Sequence, residues 1–445
     1  MPFAQGALPT GRAEEYSSIE VTSAMRLHRI VPAASRAAGF AVLLAALALA
    51  TGCSSNHLPT PPPQTPLSSL VIAPTFDTLA VGGTRAFTVT AHDTAGALVS
   101  GPSVDWSSSN TGVITVSRSG VATAVGEGSA WVRAASGGKA DSAIVSVFTQ
   151  AGWYTQTSNT SHNLNDVTFA SDGRTGVAVG ALGTIVRTSD AGVTWATVTS
   201  GTSFNLNGVA YSSGANVWAV GANGTLLHST SGGASWFTMT GLGTVSDLHD
   251  ILFRQTLFGC AVGAGGTVLI TRNGGVSWTR SNPTVAQLNA VAFSDSVDGW
   301  AFAETGLILG THDGGRSWYI VQPAVTANAL RGGWRLSNVA ATAVGVQGTA
   351  PFTSETVDSL QWSNGNLGAA NDLSAIQFVD NLTGYIVGSN GSGVILKTVN
   401  GGALWSPQVS NSAQPLNGVW FVDGQRGWAV GNAGRIVHTS RGGNL

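Results

Sequence analysis

Charge is scarce in this 445-residue sequence. Only 9% of residues are Asp, Glu, Lys or Arg, and the net charge is −2. A chain so weakly charged is not built to capture nucleic acid or an anionic surface by its overall field. There are two cysteines, Cys53 and Cys260, too few for a disulfide framework. The apolar run from Ala37 to Ala50 is too short for an ordinary membrane span. Beyond residue 152 the only glutamates are Glu304 and Glu355. The histidines are scattered, with His228 and His438 in the same strand slot of different repeats, so they cannot share a metal. In contrast, glycine is abundant at 59, tryptophan reaches 14, and 43% of the chain is hydrophobic. That balance is expected of a turn-rich, β-rich secreted protein.

The N-terminal region reads as an address. From Met25, Arg26, Arg29 and Arg36 form a basic stretch, followed by the apolar run and then Gly52-Cys53. This is a secretory signal layout over residues 25–52. Ala50-Thr51-Gly52-Cys53 resembles the bacterial lipobox. The resemblance implies cleavage before Cys53, lipidation of Cys53 and a lipid anchor in the cell envelope. Ser54 in place of aspartate points to the outer membrane. Residues 1–24 lie upstream of a complete signal and read as an extension ahead of the true start. Residues 53–69 hold "SSNHLPTPPPQTPLSS", an extended, semi-rigid proline tether.

Residues 70–148 alternate apolar and polar positions in short runs such as "AFTVTAHD" and "VITVS", separated by glycine turns. The pattern predicts a β-sandwich. Trp106 with Ser107-Ser108-Ser109-Asn110, and "SGVATAVGEG", resemble a group 2 bacterial Ig-like domain, a spacer or adhesive module at cell surfaces. Trp106 is expected as a core anchor.

From residue 152 onward the chain repeats. Leu164, Leu206, Leu248, Leu288, Leu330, Leu373 and Leu416 open equivalent segments spaced by 40 to 43 residues. A glycine-ended strand, a glycine hairpin, a third strand and a tryptophan-led fourth follow each leucine. Four strands per unit at this period predict a β-propeller. Six tryptophans, at 195, 236, 278, 318, 362 and 405, mark six fourth strands. The seventh unit has none, but Trp153 stands 42 residues before Trp195. The fold expected is therefore all-β: an Ig-like sandwich, then a seven-bladed propeller over residues 152–445, its last blade completed by the N-terminal strand. Cys260 is expected to be a buried thiol in the slot of Val177, Val217 and Trp300.

"RTSDAGVTW" at 187–195 looks like chemistry, yet its copies "HSTSGGASW", "ITRNGGVSW", "GTHDGGRSW" and "KTVNGGALW" argue for a joint. The aspartate, Asp190 or Asp313, becomes Ser231, Asn273, Asn400 or Arg441, and Glu355 lies near it in the degenerate fifth unit. A turn cap tolerates such exchange and a general acid does not. Thr188, Asp190, Gly192 and Trp195, with Thr311, Asp313, Gly315 and Trp318, resemble the Asp-box of BNR-repeat, sialidase-like propellers. There the resemblance implies a structural turn away from any active site. A sialidase-like site would also need an arginine cluster, a nucleophilic tyrosine and an acid/base carboxylate. The Arg-Ile-Pro signature is missing, and Tyr154, Tyr211, Tyr319 and Tyr385 all fall in slots read as packing. No catalytic residue, metal or cofactor is assigned.

"VWAVGANGTLLHSTSGGASW" and "GWAVGNAGRIVHTSRGG" resemble the photosystem II assembly-factor-like propellers. That resemblance implies a non-enzymatic protein-binding or assembly platform, here on an envelope lipoprotein. The partner expected is an unidentified envelope protein or a glycan, with no nucleic acid. Two alternatives are a glycan-binding or glycan-cleaving protein and a surface adhesin acting through the Ig-like domain. One polar residue follows each repeat-opening leucine: Asn165, Asn207, His249, Asn289, Ser374 and Asn417, with Arg331 in the fifth unit. Equivalent slots place them in a ring at the channel mouth, as a recognition site or as caps on backbone groups.

Overall fold

The computed structural model describes residues 66–445 apart from residues 127, 149–151, 323–324, 336–339, 357–358 and 445. Cys53, the signal and most of the tether lie outside the described residues. The all-β expectation holds: among the described residues the only helical pieces are three-residue 3-10 turns.

From residue 154 the strands form four-stranded antiparallel sheets in chain order, the first being Leu164–Phe169, Gly176–Gly180, Ile185–Thr188 and Ala196–Val198. Six sheets follow this pattern. The seventh takes Leu416–Phe421, Gly427–Gly431 and Ile436–Thr439 and is completed by Tyr154–Gln156, with Tyr154 opposite His438. Each inner strand touches the inner strand of the next unit, and the first touches the last. The sheets therefore ring a central channel.

Two features of the repeat set this spacing. The residue ending each second strand sits against the backbone that enters the inner strand. A Cβ on Gly180 would lie 1.9 Å from the Asn163 carbonyl oxygen, and one on Gly221 would lie 2.0 Å from that of Asn205. Glycine suits this approach best, and the fourth unit alone replaces it, with Ala303 opposite Leu288. Aromatic rings then fill the space between neighbouring sheets. Trp153, Trp195, Trp218, Trp300 and Trp428 are almost wholly buried. Trp428 stacks on Phe169 of the first unit at 3.8 Å between centroids. Cys260 is buried, opposite Leu252 on the inner strand. The register puts Trp218, not Val217, in its equivalent slot, because Trp218 faces Ala210 as Cys260 faces Leu252. A strand read one residue out of step exchanges its two faces.

Residues 67–148 form a four-stranded sheet, a three-stranded sheet and a paired couple of strands around a core that includes Ile72, Phe87, Ile114, Val132 and Val145. Trp106 is half buried and packs against this core, its ring lying where a Cβ on Gly120 would fall. The N-terminal sheets also grip the repeat region. Phe76 and Ile144 share a buried cluster with Trp195, Phe169 and Trp428, from the first and last units. Arg426 lies over the Phe76 ring at 4.6 Å, and Arg174 over Trp131 at 4.6 Å. The Ser146 hydroxyl donates to the Asp190 carbonyl at 3.3 Å. All these contacts fall on the face that carries the Asp-box turns, where the ring joins its own ends.

Candidate binding site in the central channel

Each inner strand is bulged immediately after its opening leucine, the first between Leu164 and Asp166 and the last between Leu416 and Gly418. The extra residue of a bulge is left out of the ladder, and its side chain is re-aimed. That extra residue is the polar one. Asn165, Asn207, His249, Asn289, Arg331, Ser374 and Asn417 all line the channel cavity, which measures about 220 Å3. The asparagines are already engaged. The Asn165 amide donates to the Leu206 carbonyl at 2.8 Å, Asn207 to Leu248 at 2.8 Å, Asn289 to Leu330 at 2.9 Å and Asn417 to Leu164 at 2.8 Å. Each thus ties its unit to the next one. His249, Arg331 and Ser374 show no such bond, and they fall in the third, fifth and sixth units.

One residue further along stand Asp166 and Asp250, in a slot that is otherwise Gly208, Ala290, Gly332, Ala375 and Gly418. Asp166 accepts the backbone N–H groups of Val167 at 2.8 Å and Val209 at 2.9 Å. Asp250 accepts those of Ile251 at 2.8 Å and Val291 at 2.9 Å. Burial is the main force on both, lifting Asp166 to about 7 and Asp250 to about 6; the charge of Asp250 adds to the rise at Asp166. This is the carboxylate pair that a glycan-cleaving site would draw on, but every oxygen already receives a backbone N–H. Both acids escape a reading of the ring alone. Their signal is two aspartates in a column of glycines and alanines.

Below them the wall is aliphatic, with Val167, Val209, Ile251, Val291, Ile376 and Val419. The lower end carries Trp334, Trp420, Gln377 and Arg254. Arg254 Nε donates to the Phe293 carbonyl at 2.7 Å, and its guanidinium lies 5.6 Å from the Trp334 ring. Gln377 is tied to Phe421 through both its amide atoms.

The Asp-box residues lie elsewhere, on the turns before the outermost strands. Asp190 accepts Thr188 Oγ1 at 2.7 Å, the Thr194 N–H at 2.9 Å and Thr194 Oγ1 at 2.6 Å. Thr188 Oγ1 in turn accepts the Gly192 N–H at 2.8 Å. Gly192 has φ +82°, and a Cβ there would lie 2.5 Å from Trp428 Nε1. Trp195 Nε1 donates to Gln156. The second copy repeats these bonds: Asp313 takes Thr311 Oγ1, the Ser317 N–H and the Ser317 hydroxyl, and Thr311 Oγ1 takes the Gly315 N–H. The Ser317 bonds hold the Asp313 carboxyl down at about 2. Trp318 is half buried against Phe293. No group of three or more His, Cys, Asp or Glu suited to a metal occurs among the described residues.

The family model for the photosynthesis system II assembly factor YCF48 matches residues 145–241, 237–325 and 354–445, more than half of the chain. The chain belongs to that YCF48 family. Among solved structures it is similar to YCF48 bound to a D1 peptide, at 18% identity and a TM-score of 0.56 over 66% of this chain and 96% of that one. YCF48 from Cyanidioschyzon merolae is similar at 19% identity and a TM-score of 0.55, over 65% and 98%. The WD40 β-propeller domain of Doa1 follows at 14% identity and 0.51, over 66% and 97%. At these identities the solved structures show the shared propeller fold. No curated protein matches the sequence.

Proposed function

We propose that the chain is a non-enzymatic envelope lipoprotein, anchored through Cys53. In this reading it carries an Ig-like domain on residues 70–148 and presents a seven-bladed, strand-closed propeller as a protein-binding or assembly platform. The observation that carries the binding role is the channel mouth, a bulge-built polar ring above an aliphatic wall. A relative in the YCF48 family that holds a D1 peptide supports a polypeptide partner. The asparagines are spent on joining blades, so recognition falls to His249, Arg331 and Ser374 on one side of the mouth.

Crosslinking and affinity purification from native envelopes tests this reading. His249→Ala with Arg331→Ala should lose the recovered partner at unchanged melting temperature; a full-strength capture by that variant would sink the reading. Cys53→Ser should release the protein from membranes. A variant that stays in the pellet, with no acyl mass on the wild type, would remove the anchor. A glycan ligand is favoured by one feature only, the Trp334 and Trp420 rings in the lower channel wall, which offer stacking faces. Competition of the captured partner by free oligosaccharide would distinguish it.

A further inference from the structure

The fourth repeat departs from most of its siblings at four positions, and the fold brings all four together. On the third strand, the slot that holds Arg187, His228, Ile270, Lys397 and His438 in other units holds Gly310. The slot of Ser189, Thr230, Arg272 and Val399 holds His312. The residue after the blade tryptophan, Ala196, Phe237, Thr279 and Ser406 elsewhere, is Tyr319; the closing strand shares a tyrosine there, Tyr154, which packs edge-on against His438. The residue before the second strand, Thr175, Asn216, Phe258 and Thr383 elsewhere, is Asp298.

Gly310 makes the seat. A Cβ there would lie 2.7 Å from Tyr319 Cζ and 2.9 Å from its hydroxyl, so any side chain would displace the ring. The phenol meets His312 Nε2 in a hydrogen bond. The imidazole stacks beside the phenol ring, 5.1 Å between centroids at 26°. Its other nitrogen, Nδ1, meets Asp298 Oδ1 at 2.6 Å. With the Nδ1 proton given to the carboxylate, Nε2 is left as an acceptor for the phenol O–H. The fifth unit adds a further departure: Arg335 replaces the usual aromatic and is 1% exposed. Its guanidinium reaches to 4.0 Å from the second oxygen of Asp298. Tyr319 is 42% exposed, so a reagent can reach it. A tyrosine held only for packing needs neither the histidine nor the carboxylate behind it.

We propose that Tyr319 is a modification site, a phenol nucleophile that accepts one acyl group from an activated carboxylic ester, with His312 as its base and Asp298 orienting the imidazole. The phenol oxygen attacks the ester carbonyl while its proton passes to His312 Nε2. The ester C–O bond then breaks, and the proton goes to the departing alkoxide or phenolate. The products are an aryl ester on Tyr319 and the free alcohol or phenol; nothing is oxidised or reduced. Nucleophile, base and orienting group stand in the order that activates serine and cysteine nucleophiles. Partial burial raises the phenol above its ordinary value, Asp298 adding to the rise and Arg335 opposing it, so the neutral phenol depends on a base at hand. The site is separate from the channel and stands whether or not the platform reading does.

The test uses the full chain with p-nitrophenyl acetate at neutral pH. Peptide mass spectrometry locates the acetyl group and follows its rate of appearance on Tyr319. Tyr319 should react about 100-fold faster than N-acetyltyrosine amide under the same conditions, within the range expected of positioned base catalysis. Neutral hydroxylamine should remove the label, as it does from an aryl ester. His312→Gln should remove most of the enhancement, and Asp298→Asn part of it, at unchanged melting temperature. If Tyr319 reacts no faster than the free tyrosine derivative, or if His312→Gln leaves its rate unchanged, the chain of bonds is structural and the proposal is overturned. The wild-type comparison decides even where a variant fails to fold.

Discussion

At the aspartate slot of the Asp-box, Asp190, Ser231, Asn273, Asp313 and Asn400 all accept the backbone N–H of the residue four positions on. What the turn requires is an oxygen acceptor at a fixed distance, and its charge is secondary. Asp190→Asn should therefore change stability by less than about 0.5 kcal/mol. Asp190→Ala, which orphans the Thr194 N–H, should cost about 1–2 kcal/mol in chemical denaturation. The channel acids behave differently. Asp166 and Asp250 have their carboxyl values raised on folding, to about 7 and about 6. The folded state then binds these protons more tightly than the unfolded chain does. Stability from this source is complete below about 4 and is lost as pH rises through 6 and 7. His438, buried and lowered to about 3, works in the opposite sense: it costs stability as pH falls below the ordinary imidazole value. Between about 4 and 6 it offsets one of the two acids. The melting temperature should thus fall between pH 5 and pH 8, by roughly 2–4 °C for a chain of this size. A flat profile in calorimetry would mean the carboxyls titrate normally. Cys260, with its thiol pushed well up by burial, should resist thiol reagents until the protein is denatured.

At the scale of the element, the repeat was legible because it is written in types of residue that are rarely exchanged. Leucine opens each inner strand, glycine fills the closing slot of every second strand but the fourth unit's, where Ala303 stands, and tryptophan starts most outer strands. Each answers to a close approach or a filled space visible in one unit alone. The bonding partners were not legible. Asn207 stands 41 residues from the carbonyl it binds, so the sequence shows a polar slot without showing that it joins two units. Val217 and Trp218 differ by one step in a strand buried on both faces, and hydrophobicity cannot say which one faces the neighbouring unit. The joining bonds give an element-scale prediction. Asn207→Ala, Asn289→Ala and Asn417→Ala together remove three ties and should lower stability by about 2–4 kcal/mol. Hydrogen exchange should quicken at the start of the inner strands. If the triple variant melts unchanged while partner capture is lost, the asparagines belong to recognition after all.

At the scale of the whole molecule, the closing sheet is the point of greatest leverage. Tyr154–Gln156 is the fourth strand of the sheet that ends with Ile436–Thr439. Trp153 is wholly buried beside Phe421 and Tyr385. Removing residues 152–158 should uncover an apolar strand edge, lower the melting temperature and produce concentration-dependent aggregation in light scattering. The N-terminal sheets reinforce the same joint. Phe76→Ala empties part of the cluster shared with Trp428 and should cost about 2–4 kcal/mol, although Phe76 lies outside the repeats. In sequence, residues 70–148 point to a spacer or an adhesive module, and nothing in their local pattern marks Phe76, Trp131 or Ser146 as contacts. They are ordinary strand residues, and partners such as Arg174 and Arg426 lie in turns of the repeat region.

The pairing of Tyr154 with His438 also fixes an order in time. A chain made from its N-terminus presents the closing strand early, and its partner is the last strand to arrive. Until then the cluster around Trp153 lacks Val437, and Tyr154–Gln156 has no strand to pair with. Loop closure over so long a separation comes after the local hairpins have formed. A product cut short anywhere before residue 436 cannot shut its ring, however well its early units fold. It keeps raw edges and bare indoles, the features that proteases and aggregation act on. The fold thus reports on how far its own synthesis has run, since only a chain that reaches Ile436–Thr439 can cover the closing strand.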